Sequence, residues 1–407
     1  MAKKVLILGL GMQGKAILYD LANCGEISQI TVADSRPDLQ HDLAECASGK
    51  VSGRQLDAAD KAGLAGLMGG VDLVVEALPG PLALSTGRLA ADAGVSLVSS
   101  MYYYNPAEQD PAKKQAIREQ MQEIDRQAKR KGIVILTEFG LDPGLDQLMG
   151  VRAISEMDEV REFHAYGAGI PGPNARSNPL QYKFSWSVMG VMRAYRRPAT
   201  VITGGKVVQT DGSRVFEAAN RHILEVEELG APLECYPNGD AVHHAEMYGI
   251  RDSVKEMGQY TCRLPGHCAF WDAMVKSGFL RQEAVRVGGA DVVPIEFTAS
   301  LLSSQEQFHY ADDEEDMTFI RVDVHGIRKG RNRRVIYQLI DRRDFKTGFT
   351  SMQRTVGFTM GQGARLILEG KLGKPGLLTP LDVPYEDVMP ALEKHGIRVS
   401  RQEVLLE

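Results

Sequence analysis

A chain of 407 residues, 43% apolar and 25% charged, has the make-up of a globular protein large enough for two or three domains. Its formal net charge of −6 speaks against general affinity for nucleic acid or anionic membranes, and no apolar run is long enough to span a bilayer. Five cysteines at scattered spacings (Cys24, Cys46, Cys235, Cys262 and Cys268) read as reduced thiols in a cytoplasmic protein.

The chain opens with "KKVLILGLGMQGKAILYDLANC", a short apolar strand, a Gly-rich turn and a helical pattern. The apolar run at Val5–Leu8 is too short for a secretory leader. "ISQITVADS", "VDLVVEALP", "VSLVSSMYY" and "GIVILTEFG" follow as further strands, separated by helical stretches such as the charged "DPAKKQAIREQMQEIDRQAKRKG". Near-continuous apolar strands alternating with helices indicate βαβ units and a parallel sheet covered on both faces. After about residue 150 the pattern changes. "GAGIPGPNARSNP" reads as a loop, and "MTFIRVDVHGI" with "RRVIYQLIDR" predicts an antiparallel hairpin across "RKGRN". The acidic run Asp312–Asp316 and the basic run Arg328–Arg334 read as solvated loop charges. "RTVGFTMGQGARLILEGKL" reads as an amphipathic helix ended by Gly370.

Gly9-Leu10-Gly11-Met12-Gln13-Gly14 is a GxGxxG turn between a strand and a helix, with Asp34 ending the next strand. In that context it is the fingerprint of a dinucleotide site. Gly9 permits the tight turn, Gly11 admits the pyrophosphate, Gly14 lets helix and strand pack closely, and the helix N-terminus faces the phosphates. Asp34 as acceptor for a ribose diol favours NAD. Arg36, two residues on, keeps NADP open by offering a partner for a 2′-phosphate.

"EFGLDPGLD" lies at another carboxyl-terminal strand end, where such sheets bind ligands. Asp142 is the candidate acid or base there, with Leu141 and Pro143 beside the cofactor; Asp146 reads as a cap of the following helix. Tyr102, first of three consecutive tyrosines after "VSLVSS", is the second catalytic candidate, and His267 ranks below both. His243, His244 and Glu246 lack the spacing of a zinc helix, and no CxxC pair is present, so no metal is expected.

The segments "GLGMQGK", "EFGLDPGLD", "YGAGIPGPNARSNPLQYKFSWSVMGVM", "ECYPNGDAVHHAEMYGI", "YTCRLPGHCAFWDAMVKSGFL" and "MQRTVGFTMGQGARLILEGK" together resemble the saccharopine dehydrogenase family, most closely its glutamate-forming branch. The resemblance implies an α/β fold: a Rossmann parallel sheet over residues 1–145, an inserted, partly antiparallel substrate and dimerisation domain over 146–350, and a segment, 351–407, returning to the first domain. It implies a homodimer and hydride transfer between NAD(P) and the CH–NH group of a lysine-derived amino acid. A substrate with three carboxylates calls for clustered cations, preferably arginine. Arg263, Lys183, Arg176 and Arg251 are the candidates, with Asn178 and Ser185 as polar partners. One position departs from the family: Gly167 stands where a cysteine follows the tyrosine, so a thiol role does not carry over. Lysine 6-dehydrogenase, carboxynorspermidine dehydrogenase and a non-catalytic NAD(P) sensor are the alternative readings.

Overall fold

The computed structural model describes residues 2–44, 49–104, 108 and 110–405; Cys46 lies outside them. The chain divides into two compact units, one of Met1–Met149 with Gln353–Arg398, the other of Gly150–Met352 with Val399–Glu407.

In the first unit strands and helices alternate: Lys3–Leu8 (β1), Met12–Ala22 (α1), Ile27–Asp34 (β2), Leu39–Ala44 (α2), Val51–Gln55 (β3), Lys61–Met68 (α3), Leu73–Glu76 (β4), Gly80–Ala93 (α4), Ser96–Ser99 (β5), Pro111–Lys131 (α5) and Val134–Leu136 (β6). Val5, Leu6 and Ile7 of β1 and Leu73, Val74 and Val75 of β4 are fully buried, as strands covered on both faces must be. Local signals set the helix ends. Asp110 accepts from the backbone N–H groups of Ala112 and Lys113, Pro111 opens α5, and Gly132, at φ +67°, closes it. Helix α6 (Leu145–Ile154) carries the chain into the second unit.

The second unit contains Glu159–Pro171 (β7), Val188–Ala194 (α7), Ala199–Thr203 (β8), Lys206–Thr210 (β9), His222–Leu224 (β10), Leu233–Pro237 (β11), Ala241–Met247 (α8), Glu256–Arg263 (β12), His267–Lys276 (α9), Val285–Val287 (β13), Ala290–Val292 (β14), Pro294–Ser303 (α10), Asp316–Arg328 (β15) and Arg331–Arg342 (β16). Helix α11 (Ser351–Leu368) then leads to Gly376–Leu378 (β17) and Tyr385–Glu393 (α12) in the first unit. The last strand, Val399–Leu405 (β18), pairs antiparallel with β16 in the second unit, although the expectation took all of 351–407 to the first domain.

The first sheet is parallel, in the order β17-β6-β5-β4-β1-β2-β3. Its strand order reverses between β1 and β4, the point beyond which α/β sheets bind ligands. The second sheet runs β10-β11-β12-β7-β15-β16-β18, with β8 and β9 branching from β12. Only β12 and β7 pair in parallel among those strands; the other ladders are antiparallel.

Two sequence expectations change here. Residues 167–171, read as loop, continue β7, because Gly167 and Gly169 pair directly with Ile320 and Thr318 of β15. Asp316, read as a solvated charge, is 1% exposed. It accepts hydrogen bonds from the Ser351 backbone N–H and hydroxyl and from the Met352 N–H, and so starts α11. The predicted hairpin is present with Lys329 and Gly330 at its tip, both at positive φ, as a two-residue turn between twisted strands requires.

Candidate active site

The GxGxxG turn has the shape that its glycines were expected to give. Gly9 sits at φ +89°, where a Cβ would meet the Ala77 carbonyl oxygen at 2.7 Å. A Cβ on Gly14 would come within 2.0 Å of the Gly9 oxygen, so only glycine lets α1 lie this close to β1. Gly11 has nothing within 4 Å of its would-be Cβ, and as N-cap of α1 it supplies no side-chain acceptor. An open approach to uncapped N–H groups suits a pyrophosphate. Met12 and Gln13 open the helix, Met12 exposed and Gln13 half-buried.

Asp34 is engaged within the protein. Its Oδ2 accepts from the Leu10 N–H at 2.7 Å, and its Oδ1 accepts from the Arg36 backbone N–H and Nε at 2.9 and 3.1 Å. Arg36 also donates from Nη2 to the Leu10 carbonyl at 3.0 Å. Burial works to raise the Asp34 carboxyl, but these hydrogen bonds and the Arg36 charge prevail and hold it below its ordinary value. The pair braces the Gly-rich turn and presents a guanidinium beside it.

The strand ends of the first unit gather buried acids. Glu76, at the end of β4, is fully buried; desolvation pushes its carboxyl up to about 7 against the Ser99 hydroxyl and Leu78 N–H, which favour the anion. Its Oε2 and the Tyr103 hydroxyl have no hydrogen-bond partner among the described residues. Tyr103 and Tyr104 are buried, 4% and 6% exposed, whereas Tyr102 is half-buried.

Beyond β6, Glu138 adopts φ +60°, an uncommon backbone for a residue with a side chain. Its carboxyl is buried, accepts from Gln147 Nε2 at 2.8 Å and is raised to about 7 by desolvation. Asp146 accepts from the Gly144 N–H at 2.8 Å. Burial and then the charge of Asp142 push its carboxyl well above the ordinary range. Asp142 itself is exposed, with Leu141 buried before it and Pro143 half-buried after it. The turn therefore stacks three carboxyl groups, two sheltered and one facing solvent. Sequence reasoning singled out Asp142 but passed over Glu138 and Glu76; the signal was an acid closing each of two apolar strands.

In the second unit the candidate residues separate. Lys183 is 3% exposed and donates to both Glu314 oxygens, at 2.7 and 2.6 Å, and to the His309 carbonyl. Asn178 donates to the Tyr182 and Gln307 carbonyls and accepts from the Leu180 and Tyr182 N–H groups. Arg176 donates from Nε to the Pro171 carbonyl. Ser185 is buried beside Gly169, whose would-be Cβ lies 3.0 Å from the hydroxyl. These contacts secure the segment after β7.

Arg263 stands apart. It is 5% exposed, lies over the Tyr182 ring at 5.2 Å and donates to the Cys262 carbonyl. Tyr182 and Tyr195 both pack edge-on against His267, and the Tyr195 hydroxyl is 2.8 Å from His267 Nε2. Arg263 Nε, His267 Nδ1, Trp271 Nε1 and the Tyr310 hydroxyl have no partner among the described residues. Burial and the Arg263 charge keep His267 neutral, well below its ordinary pKa.

A separate cavity of about 310 Å³ opens on one face of the second sheet, lined by Glu162, His164, Tyr166, Asp323, His325 and Arg334. No residue in it was a sequence candidate. No cluster of three or more metal-ligating side chains occurs among the described residues, and no helix among them is long and apolar enough to cross a membrane.

A family model described as the saccharopine dehydrogenase NADP binding domain matches residues 5–136, and one described as the saccharopine dehydrogenase C-terminal domain matches residues 140–397. The chain belongs to the saccharopine dehydrogenase family. The NADP(+), L-glutamate-forming saccharopine dehydrogenase of Saccharomyces cerevisiae is 25% identical over 468 residues, covering 99% of this chain and 100% of the relative. The mitochondrial alpha-aminoadipic semialdehyde synthase of Mus musculus is 26% identical over 99% of this chain and 48% of its own length. The Arabidopsis thaliana synthase is 25% identical over 86% of this chain and 38% of its own. The chain thus spans about half the length of the mouse relative and less of the plant one. Among solved structures, apo histidine-tagged saccharopine dehydrogenase (L-Glu forming) from S. cerevisiae aligns over 99% of this chain and 100% of that one, with a TM-score of 0.83 at 23% identity. Homospermidine synthase from Legionella pneumophila in complex with NAD aligns over 99% and 92%, with a TM-score of 0.61 at 12% identity. At these identities the structural likeness is one of fold. Within this saccharopine dehydrogenase family member, the lean to NAD finds no support: the matching model and the yeast relative both name NADP. Asp34, the residue behind that lean, accepts hydrogen bonds from Leu10 and Arg36.

Proposed function

We propose that this chain is an NADP(H)-dependent oxidoreductase of the glutamate-forming saccharopine dehydrogenase type, acting at the CH–NH group of a lysine-derived amino acid. The observation that carries the reading is the yeast relative, matched end to end across both units. NADP is preferred to NAD because Arg36 stands beside the turn that would hold the adenosine ribose, with Asp34 already neutralised by it. A cytoplasmic homodimer belongs to the same proposal, on the family resemblance.

Bound cofactor would supply or accept the hydride. The chain would do the rest. Gly9, Gly11 and Gly14 shape the cradle, and the α1 N-terminus meets the phosphates. Asp142, the solvent-facing carboxyl of its turn, would exchange a proton with the substrate nitrogen. Asp146 behind it resists ionisation, held up by burial and then by the charge of Asp142. Arg263 would anchor a substrate carboxylate, and Tyr102 would contribute a hydroxyl near the reacting centre.

The test is an absorbance assay at the reduced-nicotinamide band with purified protein. Saccharopine with NADP should give the highest kcat/KM. Lysine or carboxynorspermidine as the better substrate would move the chain to another branch, and binding of cofactor without turnover of any of the three would favour a sensor.

A further inference from the structure

We propose that Cys235 and Cys262 form a redox-closable disulfide that clips β11 to β12. The two residues are direct partners in the antiparallel register of these strands. Their side chains therefore share one face of the sheet, and their Cα atoms stand about 4.5–5.5 Å apart, within the span of a disulfide. Both are fully buried, and their Sγ atoms are in contact at 2.7 Å. Each thiol otherwise reaches only a carbonyl of its own strand, Leu233 for Cys235 and Tyr260 for Cys262, at 3.9 Å.

The chemistry needs a low-molecular-weight disulfide as oxidant. One cysteine thiolate attacks it, forming a mixed disulfide and releasing one small thiol. The second cysteine then attacks the protein-bound sulfur and releases the other. Two protein S–H bonds and one small S–S bond are exchanged for one protein S–S bond and two small S–H bonds, so atoms and electrons balance.

The surroundings set the rate. Burial, then the neighbouring Cys235, keep Cys262 protonated far above the ordinary thiol range. A protonated, enclosed thiol is a poor nucleophile. Exchange therefore waits for local opening of the sheet end, where β10 contributes only His222–Leu224. In a reducing compartment the pair stays open. Closing it would fix the strand that ends at Arg263, whose guanidinium donates to the Cys262 carbonyl.

The experiment uses the full chain, incubated folded with oxidised or reduced glutathione, then denatured and alkylated. Oxidation should lower the alkylated thiols from the five of the sequence to about three, and tryptic digestion should yield a linked pair of His222–Arg251 and Glu256–Arg263. The thermal midpoint should rise by about 5 °C on oxidation and return with dithiothreitol. A Cys235→Ala chain should keep its remaining thiols and show no such rise. Five free thiols after prolonged oxidation, including in mild urea, would overturn the proposal, as would a link from Cys262 to Cys268 instead.

Discussion

The acidic turn at Glu138–Asp146 and the aromatic enclosure of Arg263 both bury ionisable groups, yet they meet the loss of water in opposite ways. The carboxyls can take a proton, and desolvation drives Glu138 and Asp146 toward doing so. A guanidinium cannot give one up at any ordinary pH. Arg263 stays charged against its desolvation, steadied by the tyrosines around it and by the Tyr182 ring face. A region whose charge shifts with pH is suited to moving protons. A region whose charge is fixed is suited to holding an anion.

Four substitutions test that contrast. The largest effect belongs to a residue that looks like an anchor but is braced from within. Lys183→Met takes the buried cation from the Glu314 carboxylate, leaving it the Ala311 N–H, and should destabilise the chain by about 3 kcal/mol, read from urea unfolding, with the KM for amino-acid substrate unchanged in the protein that still folds. A raised KM would return Lys183 to the pocket.

Next comes Glu138→Gln. In the folded chain this carboxyl titrates at about 7 instead of 4.5. The folded state keeps a proton that the unfolded state has released, so stability falls as pH rises between those values. Relative to Glu138→Gln, the native sequence should lose up to about 3 kcal/mol across that window. Parallel stability curves would mean that the site relaxes on ionising.

Asp142→Asn should lower kcat by about a hundredfold with the thermal midpoint unmoved, which requires a rate assay and a melting curve on one preparation. Equal kinetics would reduce Asp142 to a turn-former. The smallest effect is expected at Arg263→Met, an approximately tenfold rise in KM for the amino-acid substrate with kcat little altered. Loss of stability without a change in KM would make the guanidinium a structural brace.

The legible parts of the molecule are those whose requirements are local. The turn at Gly9–Gly14, the caps of α5 and the hairpin tip at Lys329–Gly330 are each written within a few residues. So is the alternation that marks the first sheet. Side-chain partners are not local. Lys183 finds Glu314 131 positions downstream, and Asn178 finds the Gln307 carbonyl 129 downstream. A lysine beside Asn-Pro therefore looks like a ligand for substrate when its carboxylate is already supplied by the chain. Asp316 misleads for the same reason, since the helix that it caps begins 35 residues later. Glu76 and Glu138 are visible as letters, but only the packed strands around them show how little water they keep.

The route of the chain through the first sheet has its own consequence during synthesis. Thr137, just past β6, bonds to the Leu378 carbonyl at the end of β17, 241 positions further on. A ribosome delivers six of the seven parallel strands and then all of the second unit except β18 before the last one emerges. Until then β6 has a bare edge, with Ile135 and Leu136 ready to pair with any passing extended segment. Nascent chains arrested between residues 140 and 370 should accordingly be the ones that chaperones hold.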